Sequence, residues 1–164
     1  MKRTALVAVA LFVLVAAFFA WGDMRNSIRE ATSWTGTVVT QGEISAIYWV
    51  SNHTRMYEPV VYDIFGGETM MALTLRTPPV GGDWAVSPHA TQNMGNATAF
   101  YETDSAQEAA AIMKQFGAKY AIVPKTRDVH AGWKWLRAFS QKFDETLFFT
   151  KVFENADALV VAVK

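Results

Sequence analysis

A chain of 164 residues is long enough for one ordinary domain with a real core. Its 15 Lys and Arg residues balance 15 Asp and Glu, which removes the electrostatic case for a nucleic-acid partner. With no cysteine, disulfides, thiolate metal sites and cysteine nucleophiles are all excluded.

The chain opens on a short basic stretch, Met1-Lys2-Arg3. From Thr4 to Trp21 it then carries no charge, glycine or proline. Those residues span about 27 Å as a helix, close to the hydrocarbon thickness of a bilayer. A cleaved signal peptide is the rival reading, since it also begins with basic residues. The apolar run is longer than a usual signal core, however, and a cut after Ala20 places Phe18 where a small residue is wanted. The expectation is therefore an uncleaved anchor, inside at its N-terminus and leaving the rest of the chain outside. "DMRNSIREATSW" extends this helix into the headgroups, with Trp21 and Trp34 at interfacial depth. Residues 1–33 make the membrane anchor and juxtamembrane extension, and residues 34–164 an extracytoplasmic α/β domain. Asn52-His53-Thr54 and Asn96-Ala97-Thr98 fit the N-glycosylation sequon, which has meaning only outside the cytoplasm.

After the anchor, "TGTVVT" reads as a short strand. Thr40-Gln41-Gly42-Glu43 has capping-box spacing and starts a helix through "ISAIYWVSNH". "MYEPVVYDIF" is β-rich and ends at Gly66-Gly67. From Gly66 to Gly95 the chain holds three of its five prolines and five of its ten glycines, so a long loop with one short helix is expected. "ATAFYET" reads as a strand. Asp104-Ser105 then caps a helix with Ala106, Ala109, Met113 and Phe116 on one face. Gly117 closes that helix, and "AKYAIVP" is a buried strand stopped by Pro124. A β-α-β unit of this kind implies parallel strands and a sheet covered on both faces.

"RDVHAGWKWLRAF", Arg127 to Phe139, reads as a helix. Val129, Trp133, Leu136, Ser140 and Phe143 form its core face; Asp128, His130, Lys134 and Arg137 lie on the outer face. "TLFFTKVFE" and "ALVVAVK" pair as an antiparallel hairpin around Asn155-Ala156-Asp157. The fold class is α/β: an N-terminal transmembrane helix, then an α/β sandwich with a mostly parallel sheet and a C-terminal antiparallel hairpin.

Signs of chemistry are sparse. His53, His89 and His130 are the only histidines, and no two share helical i, i+4 spacing, so no metal site is assigned. There is no GxSxG elbow, and neither Gly66-Gly67 nor Gly81-Gly82 leads into a phosphate-binding pattern. Trp84 and Trp135 fall outside the apolar faces, and Trp84 stands in the glycine-rich loop.

The succession "FYETDS", "AQEAAAIMKQFG" and "AKYAIV" resembles the C-terminal extracytoplasmic domain of archaeal oligosaccharyltransferase catalytic subunits. These are membrane glycosyltransferases that move a lipid-linked glycan onto asparagine. The likeness runs from about Trp34 to Lys164 and is strongest from Ala97 to Val123. In that family a DxxMxxKxxxI motif lies on a helix beside the pocket that reads the acceptor sequon. Asp128 and Lys134 stand at the right separation for it, with Ala131 and Ala138 in place of the methionine and isoleucine. The family's WWDYG signature has no counterpart after Val38-Val39, where Glu43 is the one acidic stand-in. The multi-span region that carries the family's metal site and lipid-linked donor is also missing from these residues.

The resemblance therefore implies a fold and a location, and no activity for this stretch alone. It points to a non-catalytic accessory or binding module without a cofactor. Asp128, Lys134, His130 and Trp84 are its candidate contacts, and Asn52 and Asn96 its candidate glycan acceptors. The partners implied are the bilayer, a membrane protein, and an acceptor peptide or glycan. Two alternatives stand beside this: the acceptor-peptide half of a split glycosyltransferase, and a structural single-span subunit of an unrelated membrane complex.

Overall fold

The computed structural model describes residues 2–35, 38–81 and 88–164. It divides into two compact units, Met1–Gly36 and Thr37–Lys164. The first unit is one helix, α1 (Lys2–Thr35). Within it Val9–Ile28 is long and apolar enough to cross a membrane, and none of that stretch is buried against protein. Its 20 residues make about 30 Å of helix, the thickness of a hydrocarbon core.

The second unit opens on α2 (Gln41–His53). The Thr40 hydroxyl accepts from the Glu43 backbone N–H at 3.2 Å, as the capping-box spacing predicts. Because this cap begins the helix at once, Val38 and Val39 form a bend, not the expected strand; Gly36 and Thr37 lie outside the described residues. Glu43, Ala46, Ile47 and Val50 form the buried stripe of α2.

The β-rich reading of "MYEPVVYDIF" survives only as β1 (Val60–Val61). Asp63 ends it by capping α3 (Ile64–Thr74), its Oδ1 accepting from the Gly66 N–H at 3.2 Å. Gly66 and Gly67 therefore lie in the first turn of a helix and not at the end of a strand. A Cβ on Gly66 would strike the Tyr62 ring and the Asp63 carboxylate, and one on Gly67 would strike Pro78. Close approach of backbone to side chain is what these glycines permit.

The predicted strand "ATAFYET" is the second half of a helix, α4 (Ala90–Glu102). Its buried residues Met94, Ala97, Phe100 and Tyr101 follow a helical period that begins upstream of Ala97. Ser105 caps α5 (Ala106–Gln115), accepting from the Glu108 N–H at 3.2 Å, and Gly117 closes the turn at φ 65°. The chain then enters β2 (Tyr120–Pro124), which is buried throughout. The expected β-α-β unit is thus α-α-β. The parallel neighbour of β2 is β1, in register Val60 to Tyr120, and α3, α4 and α5 all lie in the connection.

"RDVHAGWKWLRAF" is not a helix. It forms two short antiparallel strands, β3 (Val129–His130) and β4 (Trp135–Leu136), followed by a 3-10 turn at Gln141–Asp144. Gly132 turns the hairpin at φ 90°, packed so tightly that a Cβ would overlap the Met94 carbonyl. Val129 and Phe143 are buried as expected and Leu136 is half-buried, but Trp133 is 53% exposed and is not core.

The chain closes with the expected hairpin of β5 (Phe149–Glu154) and β6 (Ala158–Val163). The Asn155 side chain accepts from the N–H groups of Asp157 and Ala158 at 2.9 and 2.8 Å, which fixes the turn. The main sheet runs β1-β2-β6-β5. Its β1–β2 pairing is parallel, whereas β2–β6 and β6–β5 are antiparallel, so the sheet is mixed. Alternation along β2 feeds two cores. Ala121 and Val123 face Phe100, Tyr101 and the apolar side of α5, while Tyr120 and Ile122 face Ala46, Ile47 and Val50 of α2. The result is an α/β sandwich with helices on both faces of the sheet.

Candidate functional site

The most concentrated polar chemistry lies inside the domain, where three elements meet. Glu43 comes from the buried stripe of α2, Asp63 from the cap of α3, and Arg127 from the segment after β2. Both carboxylates are fully buried, and the Arg127 side chain is only 9% exposed. The Arg127 Nε donates to Glu43 Oε1 at 2.9 Å, and Nη2 donates to Glu43 Oε2 at 3.0 Å. The other edge of the guanidinium takes Asp63, with Nη1 to Oδ2 at 2.8 Å and Nη2 to Oδ1 at 2.9 Å. One planar fork thus grips two carboxylates, which a lysine cannot do.

Further donors reach the carboxylates. The Tyr62 hydroxyl donates to Glu43 Oε2 at 2.9 Å, and the His130 N–H donates to Asp63 Oδ2 at 3.2 Å. Burial pushes the Glu43 carboxyl up from its ordinary value, with Arg127 pulling the other way. Burial also works against the Arg127 charge, but Asp63 and Glu43 outweigh it and raise its pKa. The Tyr62 phenol is lifted well above its usual range, first by burial and then by the neighbouring carboxylates. An enzyme's carboxylate pair needs an open lone pair and a path to substrate. This cluster is buried and its carboxylates are held by Arg127, and its geometry is that of a clamp joining α2, α3 and the β2–β3 segment.

A second buried charge serves the same end. Lys142 is 2% exposed, and its Nζ donates to the carbonyls of Phe100, Tyr101 and Thr103, where α4 ends. An ammonium there satisfies the last carbonyls of the helix and meets the negative end of its dipole. Burial pulls its pKa down to about 8.

The residues singled out from sequence do not form one surface. Asp128 is exposed at the open end of the β3–β4 hairpin, its carbonyl accepting from Arg127. Lys134 lies at the hairpin's turn, paired with Glu102 at 2.8 Å. The strand register therefore puts the two at opposite ends, where a helix would have put them on one face. His130 is half-buried beside Phe65 and Trp135, at ring distances of 5.8 and 5.0 Å, and burial lowers its pKa. Trp84 lies outside the described residues. Asn52 is exposed near the end of α2; Asn96 sits within α4, where its amide donates to Gln115 at 3.1 Å. Among the described residues, no group of three or more His, Asp or Glu side chains is placed to hold a metal ion.

Sequence reasoning missed Arg127 and Asp63. The available signal was Glu43, a carboxylate in the apolar stripe of α2 that needs a buried cation. No protein-family model matches the chain, and a search of curated proteins finds no match.

Proposed function

We propose that the chain is a single-span membrane protein whose α/β domain lies outside the cytoplasm and works by binding a membrane-embedded partner, without catalysis of its own. The observation that carries this reading is the fate of the domain's buried charges. Glu43, Asp63, Arg127 and Lys142 are all consumed in holding secondary structure together, while Val9–Ile28 supplies a helix of bilayer length. A relationship to oligosaccharyltransferase C-terminal domains belongs to the same proposal. It is supported by the passage from α5 through Gly117 to β2, the latter part of the Ala97–Val123 stretch where the likeness is strongest, while the first part of that stretch is helix α4 and lends it no support. The split-enzyme alternative gains nothing from the hairpin, which separates Asp128 from Lys134.

The test is made on the full chain expressed in membranes. It should resist alkaline carbonate extraction, expose its domain to protease only from the non-cytoplasmic side, and leave mild detergent bound to a multi-span protein in fixed ratio. Release by carbonate, cytoplasmic exposure of the domain, or emergence as a lone monodisperse species overturns the proposal.

A further inference from the structure

The clamp carries more negative than positive charge. Two fully buried carboxylates, Glu43 and Asp63, meet one guanidinium, which leaves one negative charge in excess inside the domain. Among the described residues neither carboxylate is ion-paired with a second cation. Burying a net charge is costly, and a buried carboxyl group lowers that cost by keeping its proton.

The hydrogen bonds separate the two carboxylates. Each Asp63 oxygen accepts twice, Oδ1 from Arg127 and the Gly66 N–H, Oδ2 from Arg127 and the His130 N–H. Two of those four donors are backbone groups that cannot turn away, so Asp63 has no oxygen free to carry a proton. Among the described residues, Glu43 accepts only from Arg127 and the Tyr62 hydroxyl, and both are side chains. A hydroxyl rotates and accepts as well as it donates. A proton on Glu43 Oε2 therefore finds an acceptor in the Tyr62 oxygen, 2.9 Å away. Arg127 then keeps Oε1 through Nε and both bonds to Asp63, and gives up its grip on Oε2.

Nothing else packed around Glu43 supplies the missing positive charge. Asp157, in the β5–β6 turn, accepts from the Gly42 N–H at 3.1 Å and is a third carboxylate. Tyr120 of β2 faces α2 with a phenol, and Tyr101 of α4 lies within electrostatic reach with another. Burial works against a charge on the His130 ring, and Lys125 pairs with Glu154 at the surface. Arg127 and the first turn of α2 favour ionised Glu43, but burial is the larger effect and lifts its carboxyl above the ordinary 4.5.

We infer that Glu43 is the titrating member of the clamp, and that mild acid stabilises this junction of α2, α3 and the β2–β3 segment instead of breaking it. The proton removes the excess charge while Arg127 and Asp63 remain paired. The folded chain holds this proton more tightly than the unfolded one. The stabilisation is thus complete below the unfolded value of 4.5 and is lost as pH rises through the higher folded value. A carboxylate held only by an ion pair behaves in the opposite way and fails in acid. None of this depends on whether α1 spans a membrane.

The test uses the full chain in detergent micelles, from neutral pH down to about pH 5, where exposed carboxylates are still mostly ionised. Infrared spectra of the wild type minus Glu43→Gln should show a protonated-carboxyl band growing in above the ordinary carboxylate range. Tyr62→Phe should move its midpoint to higher pH, because a phenol donates to a charged oxygen more strongly than it accepts from a neutral acid. In urea denaturation, the wild-type folding equilibrium constant should rise relative to Glu43→Gln as pH falls, by up to about tenfold per pH unit.

A band confined to the ordinary carboxylate range, or one that survives in Glu43→Gln, overturns the inference. So does a wild-type equilibrium constant that falls in acid relative to Glu43→Gln. If Glu43→Gln does not fold, Tyr62→Phe decides: an upward shift of the band supports Glu43, and an unmoved midpoint rules it out.

Discussion

Arg127 and Glu43 are separated by 84 residues, yet the Arg127 Nε lies 2.9 Å from the Glu43 Oε1 in a site shielded from solvent. The same guanidinium holds Asp63, so one side chain ties the first helix of the domain to the cap of α3 and to the segment leaving β2. Its removal leaves two fully buried carboxylates without that counter-charge.

Arg127→Met should leave two facing carboxylates buried without a counter-charge. The expected loss is about 3–5 kcal/mol, the range for breaking a buried ion pair from one side. Arg127→Lys should recover only part of it, because an ammonium cannot bridge two carboxylates with parallel hydrogen bonds. Urea denaturation of the three proteins at neutral pH measures both effects.

Lys142 predicts a pH dependence. Its folded pKa of about 8 lies below the ordinary lysine value of 10.5, so between these limits the unfolded chain binds the proton more tightly. Stability contributed by this residue should therefore rise as pH increases from about 8 toward 10. Above 10 the raised pKa values of Tyr62 and Tyr101 act in the opposite direction, because the unfolded phenols ionise first. Lys142→Met should abolish the rise. It should also cost roughly 1–3 kcal/mol at neutral pH, since the carbonyls ending α4 lose their donor. Denaturation midpoints at half-unit pH steps give the comparison.

Gly132→Ala should disrupt the β3–β4 hairpin. The position combines φ 90° with a clash against the Met94 carbonyl, and neither backbone can yield without moving α4. A loss above about 2 kcal/mol is expected, more than either strain or crowding gives alone. Thermal unfolding is the measurement, with loss of protection at the Ala131 amide, which donates to the Lys134 carbonyl, as the local signature.

The aromatic and charged residues of "RDVHAGWKWLRAF" should divide by burial. Trp133→Ala should cost clearly less than Phe143→Ala, since 53% of Trp133 is exposed whereas Phe143 is buried. Lys134→Ala, which breaks a half-exposed pair with Glu102, should cost no more than about 1 kcal/mol. Phe143→Ala should cost about 3–5 kcal/mol, since that ring packs between Phe100 and Phe149. Equal losses at Trp133 and Phe143 would contradict the hairpin.

What local chemistry governs was legible in the residues themselves. Thr40 and Ser105 cap helices through their own hydroxyls, Gly117 ends α5 because its φ is positive, and Asn155 builds a turn within three residues. The apolar run near the N-terminus announces a bilayer-length helix by composition alone. Each of these signals acts over one turn of chain or one uniform stretch, and no distant partner is needed to complete it.

The errors fall where the partner is distant. "ATAFYET" is rich in β-formers, but Met94 upstream begins a helical stripe in which Met94 and Ala97 pack with Ile64 and Val80, and Phe100 and Tyr101 with α5 and the sheet, and packing outweighs propensity. "RDVHAGWKWLRAF" contains apolar residues at helical spacing, yet Arg127 is drawn to carboxylates 64 and 84 positions away and Gly132 is pressed against α4. The sequence alone determined the bilayer-length apolar helix, the caps at Thr40 and Ser105 and the closing hairpin, because short-range hydrogen bonds and bilayer-scale hydrophobicity are written in consecutive residues. Only the tertiary structure decided that the opening charge of that segment is a buried clamp and that its Trp133 is exposed. Desolvation and long-range pairing depend on which distant groups arrive, and no local spacing records that.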